Sequence, residues 1–97
     1  MNERGVAVLM QAALEGREQV KGAYYSGDGG CAVGVLHQAL FGHTRLNYCC
    51  PISPTVGKEY QMSHEEILAI IRANDVLGWD FLTIARKFET SPDAAFL

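Results

Sequence analysis

This sequence lacks membrane and export signals and is poor in cysteine, proline and clustered charge. The apolar stretch at residues 29–36 is too short and too rich in glycine to span a bilayer. Residues 1–4 lack the apolar block of a signal peptide. We therefore expect a cytoplasmic protein that makes no membrane contact.

The overall composition is that of an ordinary globular protein. Apolar residues make up 48% of the 97-residue chain and charged residues 20%, which excludes a disordered chain, a collagen-like chain and a coiled coil. A chain of this length buries enough surface for one modest core. The sequence therefore predicts a single globular domain over residues 1–97.

Positive charge is too sparse for a typical nucleic-acid-binding protein. The chain has 8 lysine and arginine residues against 11 acidic residues, which gives a formal net charge of −3. Binding to a phosphate backbone depends on clustered lysine and arginine that displace counterions, and the sequence has no such cluster. A nucleic-acid partner is therefore not expected.

The 3 cysteines, at positions 31, 49 and 50, do not form a disulfide framework. Two are adjacent, and a disulfide between neighbours fits a planar peptide poorly, so reduced thiols are the simpler interpretation. The chain also lacks the Cys-x-x-Cys pairs of structural zinc sites. The glycine turn at residues 28–30 lacks the lysine of a phosphate-binding loop. We expect no metal site and no cofactor.

Four segments show the apolar spacing of helices, with residues three and four positions apart on one face. They cover residues 2–15 and 31–41, a segment that follows Ser63 and one that follows Asp80. Ser63 and Glu66 have the pattern of a capping box, and Asp80 is a suitable N-cap. We expect one core made of the stripe residues Val6, Leu9, Met10, Ala13, Val35, Leu36, Leu40, Ile67, Ile70, Ile71, Phe81, Ile84 and Phe88.

Two segments between these helices have a different character. Residues 19–30 combine strand-favouring side chains with a glycine-rich turn, which predicts one short β-hairpin. Residues 43–61 contain Pro51, Pro54 and Gly57, so we expect an irregular loop. The predicted fold class is therefore mainly α, with a four-helix core and a minor β-hairpin.

Cys31 is the candidate for enzymatic chemistry. It opens a predicted helix, and a helix N-terminus lowers the pKa of a thiol and so favours the thiolate. A thiol enzyme also needs a base. His43 and His64 are the candidates, since His37 lies on a different face of the helix that Cys31 opens. The alternative is a small buried side chain at a tight helix start.

Protein binding is the leading functional hypothesis, because tryptophan and tyrosine are favoured at interfaces and no convincing catalytic set is present. The candidate surface is the loop at residues 43–61, where apolar residues stand between prolines, together with nearby aromatic and polar residues. The candidate binding residues are Tyr48, Ile52, Trp79, Tyr24, Tyr25, Asn74 and Asp75. The expected partner is another protein, and a homo-oligomer is the alternative.

Two further alternatives remain open. Residues 81–92 resemble the first helix and turn of a DNA-binding helix-turn-helix, in which residues 93–97 would begin a truncated reading helix. A protein that sequesters a small ligand between the glycine turn and the second helix would instead need a concave pocket beside Gly30.

Residues 30–36 contain a Cys-x-x-Gly-x-Leu helix start, and residues 73–85 contain an Asn-Asp pair, a glycine and then Phe-x-x-Ile-Ala. Together these two segments resemble small proteins of unknown function encoded by phages and bacteria. Gly30 stands where those proteins often have a second cysteine. The resemblance implies a small phage-type accessory protein with no known activity. We therefore expect a binding protein that inhibits or modulates a host or defence factor.

Overall fold

The computed structural model of the protein describes residues 1–23, 25–26, 29–41 and 52–89. In this part of the chain the elements follow in the order α1 (Glu3–Leu14), β1 (Tyr25–Ser26), β2 (Gly29–Gly30), α2 (Ala32–Phe41), α3 (Ile52–Glu59), α4 (His64–Asp75) and α5 (Phe81–Lys87). The two strands pair in antiparallel orientation, with Tyr25 opposite Gly30. The predicted mainly α class with a minor β element is confirmed.

Short polar side chains begin α1, α4 and α5. Ser63 Oγ accepts from the Glu66 amide at 3.2 Å, and Glu66 Oε1 accepts from the Ser63 amide at 3.4 Å, which completes the capping box of α4. Asp80 accepts from the Thr83 amide at 2.8 Å, and hydrogen bonds from Thr83 lower the pKa of the Asp80 carboxyl. Asn2 caps α1 in the same way. The helix starts predicted at Ser63 and Asp80 are therefore confirmed.

Helix α2 lies at the centre of the fold. Every residue from 31 to 37 is buried, and the helix packs against α1, α3, α4 and β2. A helix surrounded by other elements needs small or apolar side chains on all of its faces, and residues 32–36 supply them. The helix has 10 residues, and no helix in the described ranges is long and apolar enough to cross a bilayer.

Helices α1 and α5 pack side by side and run antiparallel. At one end the Met1 amino group donates a hydrogen bond to the Phe88 carbonyl oxygen. At the other end Gln19, which follows α1, donates from Nε2 to the Trp79 carbonyl oxygen at 2.6 Å. The C-terminal half of α1 therefore lies beside the N-terminal half of α5.

The buried face of α1 differs from the predicted stripe. Met10 and Ala13 are exposed, so their assignment to the core is wrong. The residues that α1 buries are Gly5, Leu9 and Ala12. Gly5 has no room for a side chain, because a Cβ there would lie 2.8 Å from Met1 Sδ and 3.2 Å from Cδ1 of the Tyr60 ring.

Most of the predicted core is confirmed. The stripe residues that are fully buried are Leu9, Val35, Leu36, Ile67, Ile70, Phe81 and Ile84. Those that are partly buried and pack against this core are Val6, Leu40, Ile71 and Phe88. The core also contains Val56 and Tyr60, which come from the segment that the sequence predicts to be a loop.

The prediction of an irregular segment is wrong for residues 52–59, which form α3. Pro54 is the third residue of this helix, where amides have no acceptor within the helix, so proline is tolerated there. Gly57 lets the following turn fold back onto the helix. The Met62 amide donates to the Gly57 carbonyl oxygen at 2.8 Å, and a Cβ on Gly57 would lie 2.9 Å from the Met62 carbonyl oxygen. The predictions made for residues 42–51 lie outside the described residues.

Candidate functional site

The end of α4 places the Asn74 side chain in the interior, where all of its hydrogen-bonding positions are used. The residue is 0% exposed. Its Oδ1 accepts from the Ala32 amide at 3.0 Å and from Gln19 Nε2 at 2.8 Å. Its Nδ2 donates to the Val20 carbonyl oxygen at 2.7 Å and to Asp75 Oδ1 at 2.8 Å. An amide has two acceptor sites and two donors, so Asn74 has no group left for a partner.

These bonds join three segments that are distant in sequence. The Asn74 side chain connects the chain after α1, the first residue of α2 and the last turn of α4. We call this group the Asn74 hub, made of Asn74, Gln19, Val20, Ala32 and Asp75. The hub fixes the backbone at the start of α2 and therefore the position of Cys31.

The structure brings three predicted binding residues, Asn74, Asp75 and Trp79, together at the end of α4. Trp79 is partly buried, with its ring centroid 6.4 Å from that of Phe88. Its backbone amide donates to the Ala73 carbonyl oxygen at 3.0 Å. Asp75 is also partly buried and accepts from Asn74. Each of the three is engaged by contacts within the chain rather than presented on an open surface.

The other predicted binding residues are spread over several elements. Tyr25 lies in β1, and Ile52 begins α3. Tyr24 and Tyr48 lie outside the described residues. The remaining tyrosine, Tyr60, is fully buried. Among the tyrosines whose side chains the structure describes, Tyr60 therefore belongs to the core rather than to a binding surface.

Cys31 directly precedes α2, as predicted, but its environment does not favour a thiolate. The side chain is 4% exposed, and its Sγ accepts from the Gly34 amide at 3.3 Å. Burial raises the pKa of the Cys31 thiol, and this effect outweighs the hydrogen bonds from Gly34 and Val33 that lower it. The thiol is therefore protonated at neutral pH.

We expect Cys31 to react slowly with thiol reagents at neutral pH. In a Cys49→Ser, Cys50→Ser background, labelling by Ellman's reagent should be much slower than in the urea-unfolded chain. The rate should rise about tenfold per pH unit and should keep rising past the ordinary thiol pKa of about 8.5 rather than level off there, because only the thiolate attacks the reagent and burial raises the pKa of the Cys31 thiol. Absorbance kinetics across neutral and alkaline pH measure this profile. Fast labelling at neutral pH would instead restore the enzyme hypothesis.

Neither candidate base is placed beside Cys31 in the described part of the chain. His64 is exposed, begins α4 and lines a cavity with Ile67, whereas Cys31 lines a different cavity. His43 lies outside the described residues. Within the described ranges, no three His, Cys, Asp or Glu side chains are grouped so that they would hold a metal ion.

A cavity of about 260 Å³ lies beside Cys31, where the small-ligand hypothesis predicts a pocket. Ile71 and Asp75 line it together with Gly22 and Ala23. Its volume is below the roughly 300 Å³ at which small-molecule sites begin. Among the described residues that line it, Asp75 is the only charged one, so this pocket offers no counter-charge to an anionic ligand.

Large apolar side chains are exposed on α1, on α5 and on the link that precedes α5, where Val76 is also 72% exposed. Met10 and Leu14 belong to the C-terminal half of α1, Leu82 to the first turn of α5, and Leu77 to the link between α4 and α5. Leu14 is 82% exposed and Leu77 51% exposed. Because the two helices are antiparallel, the chain segments that carry Met10, Leu14, Leu77 and Leu82 lie at one end of the pair. We call these four side chains the α1–α5 surface.

Sequence reasoning missed this surface. Met10 falls within the stripe predicted for α1, and Leu82 directly follows the buried Phe81. The sequence does contain one indication of this surface. Leu77 and Leu82 lie close together in sequence and belong to no predicted apolar stripe. Single exposed apolar residues are ordinary, whereas a cluster of them marks an interaction site.

The chain matches no protein family, no curated protein and no solved structure. The resemblance of residues 30–36 and 73–85 to small phage and bacterial proteins therefore stays a prediction. Function is inferred here from the geometry of the described residues.

Proposed function

We propose that the protein is a small, non-enzymatic, cytosolic binding protein that recognises an apolar surface of another protein through the α1–α5 surface. The observation that carries this proposal is the exposure of Met10, Leu14, Leu77 and Leu82 at one end of two packed helices. Covering these side chains removes apolar area from water and so favours association. The resemblance to phage proteins makes a host or phage protein the expected partner.

The α1–α5 surface lies outside residues 43–61, which the sequence predicted to form the binding surface. Residues 52–59 form α3, and Val56 on that helix is 0% exposed. Asn74 and Trp79 are held by contacts within the chain. The α1–α5 surface instead presents large side chains that are exposed, Leu14 by 82% and Leu77 by 51%.

Catalysis and DNA binding have weaker support. A thiol nucleophile must ionise, and burial raises the pKa of the Cys31 thiol. The reading helix of the DNA-binding hypothesis falls on residues 93–97, which lie outside the described residues. On α5 itself, the exposed bases are Arg86 and Lys87, too few for the phosphate contacts of a typical DNA-binding protein.

Photo-crosslinking tests the proposed contact. In separate variants, p-benzoylphenylalanine replaces Leu14 in the α1–α5 surface or Glu65, an exposed residue of α4. In cells that produce the variants, we expect position 14 to crosslink a discrete second protein and position 65 to crosslink none. Mass spectrometry identifies the crosslinked protein, which is then purified for calorimetry.

Two leucines of equal exposure provide the matched comparison. Leu77 and Leu68 are both 51% exposed, but Leu68 lies on α4 outside the α1–α5 surface. We expect Leu77→Ser to weaken binding of the identified partner about tenfold, since burying a leucine contributes about 1.5 kcal/mol or more. Leu68→Ser should leave the affinity unchanged. Equal effects of the two variants, or crosslinks only to a second copy of the chain, would contradict the proposal.

A further inference from the structure

An open groove of about 590 Å³ lies between α1 and α2. Its α1 wall consists of Arg4, Ala7, Val8, Gln11, Ala12 and Glu15. The facing wall includes Arg17, Gln38 and Ala39. Because the side chains at positions 7, 12 and 39 are alanines, a helix of another molecule has room to approach α1 at the usual interaxial distance of about 8–10 Å. We call this feature the α1–α2 groove.

The α1 wall of the groove has internal symmetry. Its residues lie 3, 4, 7 and 11 positions apart and therefore share one face of the helix. They form three pairs that are placed symmetrically about the midpoint between residues 9 and 10, namely Arg4 with Glu15, Ala7 with Ala12, and Val8 with Gln11. Two copies of α1 that pack antiparallel about a two-fold axis at this midpoint place each residue opposite its counterpart in the other copy.

Opposite charges stand at the two ends of this face. Arg4 and Glu15 are both exposed, and 60% of the Arg4 side chain is accessible. Three helical turns, about 16 Å, separate them, so they do not pair within one copy. In the antiparallel arrangement, each Arg4 meets Glu15 of the other copy, which gives two ion pairs. A parallel arrangement would instead bring like charges together.

Arg4 also has a partner within its own chain. Its Nη1 lies 4.0 Å from Glu59 Oε2, and its guanidinium carbon lies 5.9 Å from the centroid of the Tyr60 ring. This ion pair is exposed to solvent, and an arginine has several N–H donors, so Arg4 retains donors for a second carboxylate. With Arg17 and Glu15 included, the groove and its edge carry two positive and two negative charges. Two copies therefore meet without net repulsion.

We propose that the α1–α2 groove binds a second copy of this chain, in a two-fold symmetric dimer whose α1 helices pack antiparallel. The ion pairs between Arg4 and Glu15 flank an apolar centre that includes Ala7 and Val8. Because this centre is small, we expect a dissociation constant on the order of 100 µM. The α1–α5 surface contributes none of the residues that line the groove, so the dimer does not depend on the proposed protein partner.

Sedimentation equilibrium under reducing conditions tests the dimer. From micromolar to millimolar concentrations, the average mass should rise from the monomer value of 10.6 kDa towards twice that value. Arg4→Glu and Glu15→Arg should each weaken dimerisation about fivefold or more, because each substitution places like charges at both contacts. The matched variant Arg86→Glu, at an exposed arginine of α5, should dimerise normally. A protein that stays monomeric at millimolar concentration would overturn the proposal.

Mixing the two single variants tests the pairing itself. In a heterodimer of the Arg4→Glu and Glu15→Arg proteins, one copy presents two acids and the other presents two arginines, so both contacts are attractive again. We expect the equimolar mixture to dimerise about fivefold more tightly than either variant alone. Both substitutions suit the dipole of α1, so each variant should keep the native melting temperature within a few degrees. Effects confined to folding predict no gain on mixing, and the absence of a gain would contradict the antiparallel arrangement.

Two exposed alanines of α1 provide a steric comparison. Ala7 lines the groove and Ala13 does not. Ala7→Gln should weaken dimerisation severalfold because it obstructs close approach of the second helix, whereas Ala13→Gln should leave it unchanged. Leu77→Ser, in the α1–α5 surface, should also leave it unchanged. Equal effects of the two alanine variants, or loss of the dimer in Leu77→Ser, would place the contact elsewhere and overturn the proposal.

Discussion

Asn74→Ala should lower the free energy of unfolding by about 3 kcal/mol, a large fraction of the roughly 5–15 kcal/mol that stabilises a small domain. The substitution leaves the Ala32 amide and the Val20 carbonyl oxygen without their side-chain partner. Each such group left unsatisfied in the interior costs about 1–3 kcal/mol. Urea denaturation followed by circular dichroism measures the change as a lower midpoint with an unchanged slope.

Two further variants test whether the loss of stability comes from the buried hydrogen bonds of Asn74. Asn2→Ala removes an asparagine that caps α1 from a partly exposed position, and it should cost only about 1 kcal/mol. Asn74→Asp retains the acceptor but places a carboxylate against the Val20 carbonyl oxygen and Asp75. Burial raises the folded-state pKa of the introduced carboxyl, so part of the lost stability should return as the pH falls. An Asn74→Ala effect no larger than that of Asn2→Ala would contradict the structural role of the hub.

Tyr60→Ala should cost about 4 kcal/mol, in the range for truncation of a buried aromatic side chain. Tyr60 is 0% exposed, and its hydroxyl donates to the Leu36 carbonyl oxygen at 2.8 Å. Its backbone oxygen accepts from the Asn2 amide at 3.0 Å, and the ring lies against Gly5. Truncation therefore opens a cavity where α1, α2 and the end of α3 meet. Leu68→Ala, at an exposed leucine, should change stability by less than about 0.5 kcal/mol in the same denaturation experiment.

Tyr60→Phe separates the hydroxyl group from the ring and should cost about 1 kcal/mol. Burial raises the pKa of the Tyr60 phenol in the folded protein. The stabilising contribution of the neutral phenol is therefore complete below the unfolded value of about 10 and is lost as the pH rises through the folded value. Stability of the native sequence should fall over this alkaline range more steeply than that of Tyr60→Phe. Parallel alkaline profiles of the two proteins would show that the phenol remains accessible to water.

Local signals predicted the elements that depend on local bonds. The Ser63 capping box and the Asp80 cap are formed by residues three positions apart, so they can be read directly from the sequence. The face of α1 could not be read in this way, because nearly every position from 6 to 14 is apolar. The choice among those positions depends on tertiary packing against α2 and α5 and on contacts such as that of Gly5 with Tyr60, which comes from a distant part of the chain.

The candidate sites were harder to predict for the same reason. Asn74 has the sequence context of a surface residue at a helix end, and its burial follows from partners in two remote segments. Arg17 and Gln38 stand 21 positions apart and show no motif. They come together only in the fold, where α1 and α2 line an open groove between them. The prolines led to the wrong prediction of a loop at α3, because Pro54 lies in the first turn of that helix, where proline is tolerated.

The Asn74 side chain bonds to residues that are 42 to 55 positions away in the chain. Such bonds form only after long loops have closed, so we expect them to be absent from the folding transition state. Interactions of this kind slow unfolding and leave the folding rate almost unchanged. The hub therefore sets how long the native state persists rather than how quickly it is reached.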